Sequence, residues 1–238
     1  MNSTITISQN TQPTGCGGCG REMPWIEGFA GKLFTRRKCD DCIQLEKNRE
    51  EEAKQACAVQ DRVKQWKQIC PPDFQKPLDL SLLPSQAAGI LQQALSWEYG
   101  QKGLFLTGES GWGKTRTALT LARRVFVDHG KSVRVFECGE FQGQYKRENS
   151  KFEGAEDWLK SVIRADLVVL DELGSERPSA SVESALLQLI SQRAARGLPM
   201  IITTNCSLRE FTTLLSDKNN ISRISRRLSE SCQQIVFA

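Results

Sequence analysis

Eight consecutive residues hold the most specific chemistry of this 238-residue chain: Gly108-Glu109-Ser110-Gly111-Trp112-Gly113-Lys114-Thr115. Glycines let a short loop curl until successive backbone N–H groups face one point, which makes an anion cradle from the main chain alone. The apolar run Gly103–Thr107 precedes the loop and the helix-forming run Thr115–Asp128 follows it, so the loop is predicted at a strand-to-helix turn. There the helix N-terminus adds positive potential at the same spot. In such a loop Lys114 would reach the β- and γ-phosphates of ATP, and the Thr115 hydroxyl would ligate Mg²⁺. Glu109, Ser110, Gly111 and Trp112 would lend backbone only, and Arg116 completes the candidate nucleotide-contacting set. A chance glycine turn would match the bare pattern but has no reason to sit between a strand and a helix.

Two further strand ends carry polar groups. The run Leu167-Val168-Val169-Leu170 ends in Asp171-Glu172. A carboxylate at the end of a buried strand is costly unless it meets a cation or hydrogen-bond donors. In an open parallel sheet that end is where ligands bind. Asp171 is therefore a candidate for the Mg²⁺ shell, and Glu172 for the base that orients and polarises an attacking water. The run Ile201-Ile202-Thr203-Thr204 ends in Asn205, a candidate bridge between that water and the γ-phosphate. Read alone, Asp-Glu-Leu-Gly would suit an ordinary strand-end turn, and Asn205 an ordinary strand terminator.

Cysteine spacing makes a separate site. Cys16-Gly-Gly-Cys19 and Cys39-Asp-Asp-Cys42 read C-x₂-C-x₁₉-C-x₂-C, within the range of a four-thiolate Zn²⁺ site. All four ligand places are protein thiols, which points to structural rather than catalytic zinc; an iron site and redox disulfides are the minor alternatives. The stretch between the pairs is too small for a core, so metal would be its main folding energy. The module could serve a protein partner, or DNA through Arg36, Arg37 and Lys38. Cys57, Cys70, Cys138, Cys206 and Cys232 are scattered and read as packing residues. The single His129 excludes a His-rich metal site.

Elements must position these groups. Apolar runs at Gly103–Thr107, Val133–Glu137, Asp166–Leu170, Met200–Thr204 and Gln234–Phe237 alternate with helical patterns at Thr115–Asp128, Glu153–Arg164, Ala180–Arg196 and Leu208–Leu215. Near-continuous apolar strands separated by helices predict a parallel sheet covered on both faces, an α/β fold. Residues 43–69 lack Gly and Pro and read as one charged helix, whole or broken once, that Pro71-Pro72 stops. Residues 1–15 are polar and read as loose. The expected organisation is a zinc-binding domain over 1–45, a helical linker over 46–70 and an ATPase domain over 71–238. Net charge is +4, with 39% hydrophobic and 25% charged residues. These values fit a globular chain, and the mild positive excess permits nucleic-acid binding without arguing for it. No apolar run is long enough to span a bilayer, and the N-terminus lacks the apolar core of a secretion signal, so the expectation is a cytoplasmic protein without membrane contact.

The segments LFLTGESGWGKT, DLVVLDELGSE, ALLQLISQRAARGLPMIITTN and SRISRRL together resemble the AAA+ ATPases of the DnaC/DnaI/IstB type, over roughly residues 72–238. The resemblance implies a P-loop AAA+ core with a five-stranded parallel sheet ordered 5-1-4-3-2, and ATP bound between subunits of a ring or spiral homo-oligomer. It implies an arginine acting in trans on the γ-phosphate, with Arg227 matching that position best and Arg223 as the alternative. A helical C-terminal lid is expected to be absent, as in DnaC-like and IstB-like proteins, which suits slow turnover and a switch-like role. The helix that would hold Phe141–Arg147 lines the channel in the family, so Tyr145 could stack on a base of single-stranded DNA while Lys146 and Arg147 meet phosphates; a solvated surface helix is the plain alternative.

The resemblance thus implies an ATP-dependent loader of a replicative hexameric DNA helicase in a bacterial or phage-infected cell, with ATP, Mg²⁺ and Zn²⁺ as its cofactors. DnaI-like loaders carry a zinc-bearing N-terminal domain that contacts the helicase. An IstB-like helper of a transposase is the second reading, and a nucleotide-gated scaffold with little hydrolysis is the third.

Overall fold

The computed structural model describes residues 15–22, 26–27, 33–34, 38–76, 87–151, 154–213, 215 and 218–238. The expectations of a loose segment before residue 15, of DNA contacts by Arg36 and Arg37, and of a helix starting at Glu153 lie outside these residues. The chain divides into two compact units, Met1–Ala58 and Val59–Ala238.

In the first unit, β1 (Ile26–Glu27) pairs antiparallel with β2 (Leu33–Phe34). Helix α1 (Asp40–Ile69) follows, unbroken, and its residues run on into the second unit. Asp40 and Asp41 open it and complement the positive end of the helix dipole. Within the second unit its last turns bury Trp66, whose ring lies 6.0 Å from that of Phe126. Gln75 Nε2 donates to the carbonyls of Lys67 (2.9 Å) and Cys70 (3.0 Å), capping the end that Pro71-Pro72 cuts off. A short 3₁₀ turn, Pro72–Phe74, leads away from it.

The second unit also contains α2 (Ala87–Leu95), β3 (Gly103–Gly108), α3 (Lys114–Arg123), β4 (Val133–Glu137), α4 (Cys138–Asn149), α5 (Gly154–Arg164), β5 (Leu167–Asp171), α6 (Ala180–Arg196), β6 (Met200–Thr204), α7 (Leu208–Thr213), α8 (Lys218–Ser231) and β7 (Cys232–Phe237). The sheet is wholly parallel in the order β4-β5-β6-β3-β7. Numbering its strands one to five along the chain gives 5-1-4-3-2, the expected order. Strand burial explains that order. The central strands β3, β5 and β6 are buried at almost every position, whereas the edge strands β4 and β7 alternate with exposed residues. Period-2 side-chain alternation then sorts the central strands into two cores. Leu104, Leu106, Val169 and Ile201 join α2 and α3 on one face; Phe105, Val168, Leu170 and Ile202 join α4, α5, α6 and α8 on the other.

The helix expected over Thr115–Asp128 changes its winding. It is α-helical to Arg123, and Arg124–Asp128 is a π-turn that closes with His129 N–H on the Arg124 carbonyl at 3.3 Å. This wider turn brings both Val125 and Val127 into the core.

One structural residue gave no sequence signal. Arg193 of α6 is fully buried, with its guanidinium among main-chain carbonyls: Nη1 donates to Ile163 (2.9 Å) and Ala165 (2.6 Å), and Nη2 to Pro199 (2.6 Å) and Asp166 (3.3 Å). It thus ties the end of α5 to the entries of β5 and β6. The α5 C-terminus supplies negative potential to the cation, while burial lowers its pKa to about 10. Replacing Arg193 by Met would bare these carbonyls, and the urea unfolding midpoint is expected to fall by the equivalent of about 3 kcal/mol. An unchanged midpoint would show that the carbonyls find other partners.

Candidate functional site

The loop after β3 has the conformation that its glycines permit. Gly108, Gly111 and Gly113 sit at φ of +135°, +85° and +85°. A Cβ on Gly108 would fall 1.9 Å from the Phe237 carbonyl oxygen, so only glycine lets this loop leave the sheet beside β7. Gly113 is the left-handed N-cap of α3, and its carbonyl accepts both the N–H and the hydroxyl of Thr117 at 2.9 Å. Lys114 is only 6% exposed, and its Nζ donates to the Gly108 and Glu109 carbonyls at 2.6 Å each. Burial lowers its pKa, and the charges of Asp171 and Glu172 act against that shift. The curled loop, the start of α3 and an inward ammonium form a concave electropositive cradle suited to a polyphosphate.

The carboxylates of β5 stand beside it. Thr115 Oγ1 donates to Asp171 Oδ1 at 2.9 Å, and Thr203 Oγ1 donates to the same oxygen at 2.5 Å. Burial holds the Asp171 carboxyl above the usual carboxylate range, while the two hydroxyls and Lys114 pull it back. A half-buried carboxylate hydrogen-bonded to a threonine hydroxyl at a phosphate cradle can take a hard divalent cation. Glu172 follows at φ +55°, the left-handed region that a glutamate seldom adopts. Its N–H donates to Thr203 Oγ1 at 3.0 Å, the Leu173 N–H donates to the Thr203 carbonyl at 2.8 Å, and Thr204 Oγ1 donates to the Leu173 carbonyl at 2.6 Å. Burial raises the Glu172 pKa first, and the negative charges of Asp171 and Glu137 raise it further.

Other expected residues fall at varied distances from this cluster. Asn205 is exposed, at the carboxyl end of β6, two positions beyond Thr203. The Arg116 guanidinium turns to the Pro72–Phe74 segment, donating to the Asp73 (2.9 Å) and Lys76 (2.8 Å) carbonyls and lying 5.4 Å from the Phe74 ring centre. Arg223 is exposed on α8. Arg227 pairs with Glu230 at 3.4 Å and lines a hollow of about 330 Å³ with Gly103 and Pro199, at the sheet edge where β3 and β6 begin. Five residues of strand separate that edge from Gly108, about 16 Å, so Arg227 does not meet the cradle of its own chain. Tyr145 is half-buried and packs on Trp158, ring centres 6.2 Å apart, while Lys146 and Arg147 are exposed in the last turn of α4.

The four N-terminal thiols converge. The Sγ atoms of Cys16, Cys19, Cys39 and Cys42 all lie within 4.8 Å of one another, and Cys19 and Cys39 are 3.7 Å apart. A tetrahedral ion with bonds of about 2.3 Å needs sulfurs about 3.8 Å apart, so the donor set fits Zn²⁺. The Gly18 N–H (3.3 Å) and the Cys39 N–H (3.1 Å) point at Cys16 Sγ. Such main-chain donors lower the Cys16 pKa to about 6, the Cys39 N–H foremost. A side chain on Gly18 would reach within 2.8 Å of Cys42 Sγ, which explains a glycine inside the first pair.

Comparison with known proteins agrees with this geometry. The model of the family described as IstB-like ATP binding protein matches residues 45–237. An uncharacterized protein of Escherichia coli K12, YdaV, is 25% identical over 134 residues, 56% of this chain and 52% of its own length. The replicative helicase loader DnaC of the same organism is 26% identical over 115 residues, 47% of this chain and 46% of its own. The chain thus spans about half the length of these curated relatives. Among solved structures, DnaI superposes with a TM-score of 0.54 at 19% identity, covering 71% of this chain and 92% of that one. The DnaC helicase loader superposes with a TM-score of 0.52 at 23% identity, covering 70% and 95%. At these identities the likeness speaks for the fold, which is that of the AAA+ ATPases.

The Glu172 backbone offers a direct test of the site. Glu172→Gly removes a left-handed glutamate together with an exposed carboxylate whose charged form partial desolvation and the charges of Asp171 and Glu137 disfavour. The nucleotide-free protein at pH 7 is expected to gain on the order of 1 kcal/mol in urea unfolding. The carboxylate's share of this gain should shrink at acid pH. A folded-state pKa above the unfolded value makes the acid form the better tolerated one, and that benefit is lost as pH rises through the folded pKa. A loss of stability at pH 7 would instead make Glu172 a structural residue.

Proposed function

The chain belongs to the family of IstB-like ATP binding proteins, and we propose that within it this member is an ATPase that loads a replicative DNA helicase. The hydrogen bond from Thr115 to Asp171 carries the reading, because it joins the start of the phosphate-loop helix to the acidic end of β5 at the carboxyl edge of the sheet. ATP lies in the cradle of Gly108–Thr115, with Lys114 released from the loop carbonyls to the β- and γ-phosphates. Thr115 and Asp171 would hold Mg²⁺, which would supply charge neutralisation on the phosphate oxygens. Glu172 orients a water for in-line attack on the γ-phosphorus and takes up its proton. The bond from that phosphorus to the β–γ bridging oxygen breaks, and ADP and phosphate leave. Asn205, exposed at the same edge, contacts the water and the γ-phosphate.

Arg227, far from its own cradle, serves a neighbouring copy, and Arg223 of the same helix is the alternative. Hydrolysis is therefore slow in the isolated chain and faster in a ring or spiral assembled with ATP. Lys146 and Arg147 meet the backbone of single-stranded DNA, and Tyr145 adds a stacking face once it turns from Trp158. Cys16, Cys19, Cys39 and Cys42 would hold a structural Zn²⁺, and the module over 1–45, joined to the core by the 46–70 linker, docks the helicase. The core over 71–238 binds nucleotide, and the protein works in the cytoplasm of a bacterial or phage-infected cell. Among the described residues no helix is long and apolar enough to cross a membrane. The DnaC relative supports the loader reading. The resemblance to IstB-like proteins keeps a transposase-helper role as the second reading, and capture of a hexameric helicase rather than a transposase on the ATP-loaded protein decides between them.

Mixing separates a trans arginine from a cis one. Lys114→Ala alone should bind no ATP, and Arg227→Ala alone should bind ATP but turn it over at least a hundredfold more slowly. Mixed, the first supplies Arg227 to the second, and phosphate release should recover to a fraction of the parental rate; no recovery removes Arg227 from the trans role. For the metal, elemental analysis should find one zinc per chain. Its removal by a strong chelator should unfold residues 15–58 by circular dichroism and abolish helicase capture, while ATP binding to the core persists.

A further inference from the structure

The Asp171-Glu172 turn owes its shape to a residue that neither the sequence motifs nor the family reading singles out. Thr203 is 1% exposed, on the strand next to β5. Its hydroxyl does two jobs at once. It donates to Asp171 Oδ1 at 2.5 Å and accepts from the Glu172 N–H at 3.0 Å. Its carbonyl accepts from the Leu173 N–H at 2.8 Å. One residue therefore grips three consecutive positions: the carboxylate of the first, and the backbones of the second and third. Glu172 reaches φ +55° within this grip. A glutamate there costs on the order of 1 kcal/mol and persists only where its surroundings enforce it.

We propose that Thr203 is a positioning residue for the Mg²⁺–nucleotide centre. Its single hydroxyl proton sets the rotamer of Asp171, and its lone pair holds Glu172 in the left-handed turn. The inference rests on the reading that Asp171 takes Mg²⁺ with the nucleotide. Orientation matters because a carboxylate free to rotate must be ordered when the cation arrives, and loss of outer partners of a metal ligand commonly weakens metal affinity by about 10–100-fold. Thr115 donates to the same Oδ1 atom at 2.9 Å. Once Thr115 turns to a cation, Thr203 alone of these two hydroxyls remains to orient Asp171. The neighbouring Thr204 provides the contrast. It is equally buried, but its hydroxyl donates to the Leu173 carbonyl (2.6 Å) and accepts from the Cys206 N–H (3.0 Å), so its bonds are to main chain and not to the carboxylate.

The test uses the full-length, zinc-loaded protein and a fluorescent ATP analogue, with binding read by anisotropy as Mg²⁺ is added to a chelator-treated sample. The parent should show nucleotide affinity that rises with Mg²⁺. Thr203→Val keeps the shape and removes the hydroxyl. It should need about tenfold more Mg²⁺ for half-maximal effect while binding the analogue as well as the parent in chelator. Thr203→Ser should restore the parental Mg²⁺ dependence. Thr204→Val should lose stability without shifting it. Should valine at 203 disturb the strand, as judged by circular dichroism, Thr203→Ala provides the same comparison. A parental Mg²⁺ midpoint in Thr203→Val, or an equal shift in Thr204→Val, overturns the inference and leaves the ATP reading intact. No Mg²⁺ effect in the parent overturns both.

Discussion

Charge brought to the rim of an apolar interior is the constraint around which this molecule is arranged. Lys114 and Asp171 meet at the carboxyl edge of a parallel sheet, the ammonium buried and the carboxylate half-buried, and burial pushes both toward their neutral forms, with Glu172 exposed beside them. Such a cluster is expensive unless every polar atom finds a partner. The fold meets that demand locally. Loop carbonyls take the ammonium, the hydroxyls of Thr115 and Thr203 take the carboxylate, and neither arrangement is so extensive that a ligand could not replace it. The cradle is thus held together by bonds of the very kind that an incoming polyphosphate and cation would make, and the exchange leaves few groups unpaired at any moment.

Much of the architecture could be read from residue types. Continuous apolar runs marked the central strands because those strands are covered on both faces. The glycine spacing marked the loop because only a residue without Cβ fits against the Phe237 carbonyl. The sheet order came from the family likeness and matches the observed one. Other features were hidden for physical reasons. Arg193 reads as a surface helix residue until the carbonyls of the 163–166 segment and of Pro199 converge on it. The π-turn at Arg124–Asp128 has no composition of its own and follows from the need to bury Val125 and Val127 together. Thr203 and Thr204 look like ordinary β-branched strand residues. Their signal was faint: two hydroxyls in succession closing a strand that is otherwise apolar. Arg116, adjacent to the loop in sequence, points elsewhere because its position on α3 faces the Pro72–Phe74 turn.

The two units solve stability in different currencies. Val59–Ala238 buries two apolar layers against a five-stranded sheet, enough to fold on its own terms. Among its described residues Met1–Ala58 has a pair of two-residue strands, part of a helix, and four clustered sulfurs, one of which accepts from two main-chain N–H groups. A hydrophobic interior can tolerate a substitution or two, whereas a cluster of four thiols has no spare member. Sequence drift should therefore be unequal along the chain: broad in the helical faces of the larger unit, and narrow at four thiols and the glycine wedged between them.

The close approach of Gly108 to Phe237 also dictates when the protein can first become competent during synthesis. Strand β3 lies between β6 and β7, and its last residue abuts a carbonyl almost 130 positions later. A nascent chain that has left the ribosome only as far as α8 possesses the whole phosphate loop in sequence but lacks the wall it rests on. The wall beside the loop is thus completed by the strand that is made last among those of this sheet.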